Sequence, residues 1–250
     1  MNKLLFLLYE SKNVKKILII SDNPNLSKHI LEYLVPKSPD FFIEFNYSSA
    51  NKTPEEMIKL GAKQINLKDK DAGFAREYDV IFSIHCKQIF PKEIVNNTLC
   101  VNVHPGLNPY NRGWYPQVFS IINKKPIGAT IHVMNEDIDA GDIIIQEAVP
   151  IDFFDTSLEV YNKVQEVEKK LLDEYFDKII RKKFTKKTLS TEGNYNSISD
   201  YNKLCKLDLK HVGTLGEHID LLRALTHGDF KNAYIENEDN IRRYVKIQFD

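Results

Sequence analysis

Asn102 and His104 stand one residue apart at the end of an apolar run, residues 98–103, that closes on Pro105 and Gly106. On an extended chain, side chains two apart face the same way, so an amide and an imidazole are presented together. After a second apolar run, residues 127–134, comes a turn with three carboxylates, Asp137, Asp139 and Asp142. One of them can reach the imidazole. A neutral imidazole, with an ordinary pKa of about 6.5, takes up a proton at physiological pH. An asparagine amide can donate to an oxyanion growing on a carbonyl, and a carboxylate fixes the ring's tautomer and steadies the imidazolium. A histidine alone is more often a satisfied polar residue than a base; the company of Asn102 and the acidic turn shifts that balance. No serine or cysteine is placed as an activated nucleophile, since Cys100 shares Asn102's face but lies deeper in the apolar run. The nucleophile is therefore expected to arrive with a substrate, in a transfer to an amine or hydroxyl.

These groups need a scaffold, and the rest of the chain supplies its parts. Residues 16–20 are a β-branched run ending in the polar turn Ser21-Asp-Asn-Pro-Asn25, with an amphipathic helix over 26–34 stopped at Pro36. Further strands are expected over 41–45, 64–67, 78–85 and 143–149, the third apolar on both faces. Between them, Thr53-Pro-Glu-Glu56 sets a cap residue, a first-turn proline and a third-position glutamate together, and 89–95 reads as a short helix. This alternation is that of an α/β protein with a Rossmann-like, mostly parallel sheet and helices on both faces. In such sheets ligands gather at the carboxyl ends of the strands.

The longest helix opens at Asp155-Thr-Ser-Leu-Glu159, where Thr156 and Glu159 have capping-box spacing. Leu158, Tyr161, Val164, Leu171, Leu172, Tyr175, Phe176 and Ile179 fall near one face. The basic run 181–187 suits the solvated end of that helix better than a nucleic-acid patch. Residues 190–199 are polar and linker-like. A helix over 215–225 and a β-hairpin across Asn237-Glu-Asp-Asn240 follow. Two domains are thus expected: residues 1–185, which carry the chemistry, and a small helix-and-hairpin module, 200–250, whose Tyr- and Ile-bearing edge suits a homodimer interface.

A chain of 250 residues can bury one good core with a small appendage. Its 34 basic and 35 acidic side chains leave a formal charge of −1, which gives no bulk attraction to nucleic acid or anionic lipid. Cys86, Cys100 and Cys205 are odd in number and widely spaced, which points to a reducing compartment and away from a disulfide framework or metal site. The opening Met1-Asn-Lys-Leu-Leu-Phe-Leu-Leu-Tyr-Glu10 has too short an apolar core for a signal peptide, and a membrane span needs about 20 apolar residues. A cytoplasmic protein with neither membrane nor nucleic-acid partner is expected. A dehydrogenase is excluded, because Ser21-Asp-Asn stands where G-x-G-x-x-G would follow the first strand.

The run Asn102-Val-His-Pro-Gly106, followed by Asp137-Ile-Asp-Ala-Gly-Asp142, closely resembles the signature of the 10-formyltetrahydrofolate-dependent formyltransferases. The resemblance spans roughly residues 16–180. It implies a Rossmann-like fold and a catalytic triad of Asn102, His104 and Asp139, with N10-formyltetrahydrofolate as co-substrate and no metal. It also implies that the pterin ring lies against backbone groups around Ile84, His85, Cys86 and Lys87 and in the turn Asn135, Glu136, Asp137 and Ile138. For His85 and Cys86, local packing is the competing reading.

Among these enzymes, the loop Asn108-Pro-Tyr-Asn-Arg-Gly-Trp-Tyr-Pro-Gln117 and the segment from Asp220 to Tyr234 look like those of bacterial nucleotide-sugar N-formyltransferases. The likeness is nearest to those acting on dTDP-4-amino-4,6-dideoxyglucose for O-antigen or similar glycans. The loop places Asn108, Tyr110, Asn111, Arg112, Trp114, Tyr115 and Gln117 as candidate sugar-nucleotide contacts. Arg112 can pair with a phosphate or the folate's glutamate tail, and Trp114 and Tyr115 offer faces to a ring. Thr226 and His227 either face the nucleotide or serve a turn, while His132, mid-strand, reads as core. Rival readings are a dTDP-3-amino or UDP-4-amino sugar as acceptor, a formyltetrahydrofolate hydrolase, and a non-catalytic nucleotide-sugar binding module.

Overall fold

The computed structural model describes residues 14–189, 191 and 193–250. The opening segment weighed above as a signal peptide lies outside them. Eleven strands are described: β1 (Lys15–Ser21), β2 (Phe41–Ser48), β3 (Lys63–Ile65), β4 (Val80–Ile84), β5 (Leu99–His104), β6 (Arg112–Gly113), β7 (Ile127–Val133), β8 (Ile143–Val149), β9 (Tyr195–Asn196), β10 (Tyr234–Glu236) and β11 (Arg242–Tyr244). Seven form one sheet in the order β3-β2-β1-β4-β5-β7-β8. Strands β1 to β5 run parallel, and β7 is antiparallel to both β5 and β8. This is the mostly parallel α/β sheet that the strand–helix alternation implies.

Both faces of the central strands are buried, which explains their unbroken apolar runs. Ile17, Ile19, Phe82, Ile84, Val101 and Val103 face a large core that the helix Ser157–Ile180 covers with Val164, Leu171, Leu172 and Phe176. The rings of Phe82 and Phe176 stack at 5.2 Å. Leu18, Ile20, Ile81 and Cys100 face the other way, onto Leu67, Phe90 and Ile94. Thr156 and Glu159 form the expected capping box at the head of the long helix. After that helix the basic run is mostly exposed, with Lys186 paired to Asp142. Among the described residues no helix is long and apolar enough to cross a membrane.

Two local expectations are corrected. Thr53 does not cap: its own N–H is held by Asn51 Oδ1, and the helix starts one residue later, at Glu55–Lys59, with Pro54 in the cap position. Glu56 pairs instead with Lys59. The stretch read as a linker contains β9, which pairs in parallel with β6 of the aromatic loop, and Ser197, which caps a further helix, Ile198–Cys205. Tyr201 and Cys205 of that helix, with Ala224, Leu225 and Ala233, lie in the same core as the sheet. The helix Leu215–Leu225 packs on Pro116–Asn123, and Arg223 Nη1 donates to the carbonyl of Asp155 at 2.7 Å. The expected hairpin forms between β10 and β11.

Candidate active site

Strand β5 ends with Asn102 and His104 on one face, and its antiparallel neighbour β7 brings His132 directly opposite Asn102. The turn from β7 to β8 then folds Asp139 back over them. That turn is tight: Asp139 takes φ 51°, and a side chain at Gly141 would strike the carbonyl of Val133 at 1.8 Å. Of the three carboxylates on the turn, Asp139 alone joins the cluster. Asp137 is exposed, and Asp142 faces Lys186 and Thr188.

Asp139 Oδ1 accepts from Asn102 Nδ2 at 2.9 Å, and Oδ2 accepts from the Gly113 N–H at 3.1 Å. His104 Nδ1 lies 3.5 Å from Oδ2. Asn102 Nδ2 is also 3.2 Å from His132 Nε2, and His132 Nδ1 donates to the Val133 carbonyl at 3.0 Å. Because a carbonyl only accepts, Nδ1 carries the His132 proton and Nε2 is left to accept from the amide. His104 Nε2 is buried, without a hydrogen-bond partner among the described residues.

Burial holds the His104 imidazole down at about 4, against the opposing pull of Asp139. Burial works against the Asp139 charge too, but His104, His132 and the Gly113 N–H outweigh it and keep the carboxyl well below its usual range. The resting pair is thus a neutral imidazole beside a carboxylate whose charge favours the imidazolium against its burial. The thiols offer no competing nucleophile, since burial pushes Cys86 and Cys100 each up to about 12.

This geometry makes stability depend on pH. With a folded value near 4 and an unfolded value near 6.5, the unfolded chain binds the His104 proton across that window. Stability from this group is therefore complete above pH 6.5 and lost as pH falls towards 4, by about 2 kcal/mol between pH 7 and pH 5. His104→Gln is expected to flatten that part of the profile. Urea midpoints at the two pH values test it, and an unchanged slope would contradict the assigned burial.

The cluster opens on a cavity of about 840 Å³. His85, Cys86, Lys87, Asn135, Glu136, Asp137, Ile138, Trp114, Tyr115 and Gln117 all line it. Trp114 and Tyr115 are each 37% exposed, and Tyr115 stacks on Tyr201 at 4.1 Å. Five candidates lie elsewhere. Ile84 points into the core beneath β4, where strand alternation sends it. Asn108 is buried, its Nδ2 donating to the Asp139 carbonyl at 2.9 Å. Asn111 is buried among Ser120, Asn123, Asn194 and Asn196. Arg112 Nη1 donates to the Ile138 carbonyl at 3.4 Å, and Tyr110 lies under the Lys125 ammonium. Asn108 and Arg112 thus bond the backbone at Ile138 and Asp139, and Asn111 a set of neighbouring polar side chains, instead of facing the cavity.

Other wall residues were not singled out from the sequence as ligand contacts: Asn23, His132, Ser157, Tyr161, Gln165 and Phe230. His227 lines the wall and bonds Ser157 Oγ at 3.0 Å, while Thr226 is turned inward. The first turn also borders the cavity, through residues 22–25. Its own Asp22 carboxylate accepts from the Ser48 N–H at 2.9 Å and the Lys87 N–H at 2.7 Å, tying together the ends of β1, β2 and β4.

Residues 4–175 match the formyl transferase family, and residues 200–250 match the N-formyltransferase dimerization C-terminal domain. The dTDP-4-amino-4,6-dideoxyglucose formyltransferase of Mycobacterium tuberculosis is 42% identical over 187 residues, covering 75% of this chain and 80% of that one. A sugar N-formyltransferase from Shewanella sp FDAARGOS_354 superposes with a TM-score of 0.92 at 47% identity, over 95% of this chain and 99% of its own. A 4-N formyltransferase from Francisella tularensis gives 0.88 at 44%, over 96% and 99%. The triad geometry and these matches lead to one conclusion: the chain belongs to the formyl transferase family.

Proposed function

We propose that this protein transfers the formyl group of N10-formyltetrahydrofolate to the amine of dTDP-4-amino-4,6-dideoxyglucose. One observation carries the reading: Asn102, His104 and Asp139 converge at the wall of a single cavity with two kinds of lining. They are the two turns around Cys86–Lys87 and Asn135–Ile138, and the aromatic loop with Trp114 and Tyr115. Exposed turn backbone suits the hydrogen-bonding edge of a pterin, and the aromatic faces suit a nucleotide base. The acceptor follows from the relatives, whose names specify that sugar or a 4-N transfer.

The residues divide the work as follows. His104 takes the proton that the amine releases as it attacks the formyl carbon, and Asp139 holds the imidazolium that results. Asn102 donates to the oxyanion that develops on the formyl oxygen, which draws its second N–H off His132. The group that leaves with the folate nitrogen needs a proton in turn, and His104 is placed to return it.

The 200–250 module mediates a homodimer in this reading, consistent with the dimerization model it matches and with the exposure of Leu209, Val212 and Leu215. In this reading the formylated sugar serves O-antigen or related glycan synthesis, and the enzyme works in the cytoplasm. Incubation with N10-formyltetrahydrofolate and a panel of dTDP- and UDP-amino sugars is expected to add one formyl mass to the dTDP-4-amino sugar. Formate release with no sugar present, or transfer to a 3-amino or UDP sugar alone, would overturn the assignment.

A further inference from the structure

Beside the triad stands a second set of proton-bearing groups. His85 follows β4, and because Ile84 pairs with Val103, it sits next to His104 across the sheet. It takes φ 50° there, a conformation costly for a residue with a ring, and turns towards the helix Ser157–Ile180. Its Nε2 donates to Glu168 Oε1 at 2.7 Å. Glu168 is fully buried, and its other oxygen, Oε2, has no hydrogen-bond partner among the described residues. An unpaired buried carboxylate oxygen is a cost that a core accepts where the charge is used.

The bonds on the other side of His85 define a direction. Asn23 Oδ1 accepts from the Leu26 N–H at 3.0 Å, which turns its Nδ2 towards Tyr161 Oη at 3.0 Å and His85 Nδ1 at 3.2 Å. Tyr161 Oη lies 3.3 Å from His85 Nδ1. With Nε2 protonated towards Glu168, Nδ1 must accept; Asn23 Nδ2 and Tyr161 Oη both face it, and in the state that starts the relay Tyr161 donates there while its oxygen accepts from Asn23 Nδ2. One lone pair of Tyr161 is left over, on a residue that lines the cavity. The charged and titratable groups facing this set are Glu168 and Tyr161 on the long helix, Asp22 in the first turn, Lys87 in the His85 loop, His104 on β5, and His227 edge-on to Tyr161 at 5.5 Å. Lys87 turns its ammonium to Asn51. Asp22 borders the cavity here with its carboxylate held by backbone N–H groups, and Glu168 lies buried behind His85.

We propose that Tyr161, His85 and Glu168 form a second proton relay that removes the proton an acceptor ammonium must lose before it can attack. This rests on the reading that the acceptor is an amine. In the step R–NH3+ gives its proton to Tyr161 Oη while the phenol proton moves to His85 Nδ1. The products are a neutral amine, a neutral tyrosine and a His85 imidazolium paired with Glu168. Burial, and then the Glu168 charge, raise the Tyr161 phenol well above its usual range, so the two transfers are concerted with no phenolate between them. His104 is left with the second proton, the one released when the carbon–nitrogen bond forms. Tyr161 touches the substrate; Glu168 positions and charges His85.

The test begins with wild-type enzyme and the dTDP-4-amino sugar, where formyl transfer secures the functional reading independently. Tyr161→Phe, which removes one oxygen, and Glu168→Gln, which keeps the shape, are then followed from pH 6.5 to pH 9. Both are expected to lose about 100-fold in kcat near neutrality and to recover most of it at the alkaline end, where the amine arrives already free. His104→Gln is expected to stay low throughout. If wild type transfers formyl while Tyr161→Phe runs parallel to it at every pH, or changes KM alone, the relay is wrong. A loss that no pH restores, in variants melting near the wild-type temperature, also overturns it.

Discussion

His104→Gln and Asp139→Asn are each expected to lower kcat by about 10²–10⁴-fold with little change in KM for either substrate. The first removes the buried neutral base whose Nε2 has no hydrogen-bond partner among the described residues. The second keeps the size of the side chain and still offers an oxygen to Asn102 Nδ2, but it removes the charge 3.5 Å from His104 Nδ1. Without that charge the imidazolium has no counter-ion in a buried site, and proton uptake becomes unfavourable. The two residues act as one unit, so the double variant is expected to be no slower than the worse single one. Steady-state kinetics with both substrates varied settles this. Transfer at the normal rate by either variant would remove the basis for these roles.

Gly106→Ala is expected to be nearly as damaging, although Gly106 has no functional group. A methyl at that position would stand 2.4 Å from His104 Nε2 and 3.3 Å from Pro116 Cγ. The proline ring is fixed in the helix Pro116–Asn123, so the imidazole is what must shift. A displacement of about 1 Å in a reacting group costs about 100-fold. The expected result is a kcat loss of that order in a protein that still folds. Gly216→Ala, where the new methyl meets only Thr214 Oγ1 at 3.9 Å, is the control and should leave turnover unchanged. Equal activity in the two variants would mean that the His104 ring has more freedom than the packing allows.

How much of this was readable beforehand depends on how local each signal is. That Asn102 and His104 face one way follows from the two-residue period of a strand, and β5 obeys it. Asp139 was identified by resemblance, not by spacing, and the structure places it alone among the three turn carboxylates at the imidazole. His132 reads as core from the sequence and is 1% exposed, but a histidine inside an apolar run carries no local mark of a place beside a cavity. Its place beside Asn102 exists only once β7 pairs antiparallel with β5, a contact between distant segments. Asn108 and Asn111 are buried instead of lining the cavity, for the opposite reason. A polar loop invites the expectation of ligand contacts, but a loop folded back on the protein must first satisfy its own buried amides. The Thr53 capping box fails similarly, because Asn51 two residues earlier offers the backbone a competing partner.

The short ribbon of β6 and β9 ties two properties that would otherwise vary separately. Gly113, whose N–H holds Asp139, belongs to β6, and β6 is fastened by Tyr195 and Asn196 from the chain beyond the long helix. A methyl at Gly113 would strike the Asn196 carbonyl at 2.5 Å, so this seam tolerates no slack. Grafting the downstream third of one relative onto the sheet of another would therefore alter turnover as well as assembly, and chimeras that keep their quaternary state can still be slow.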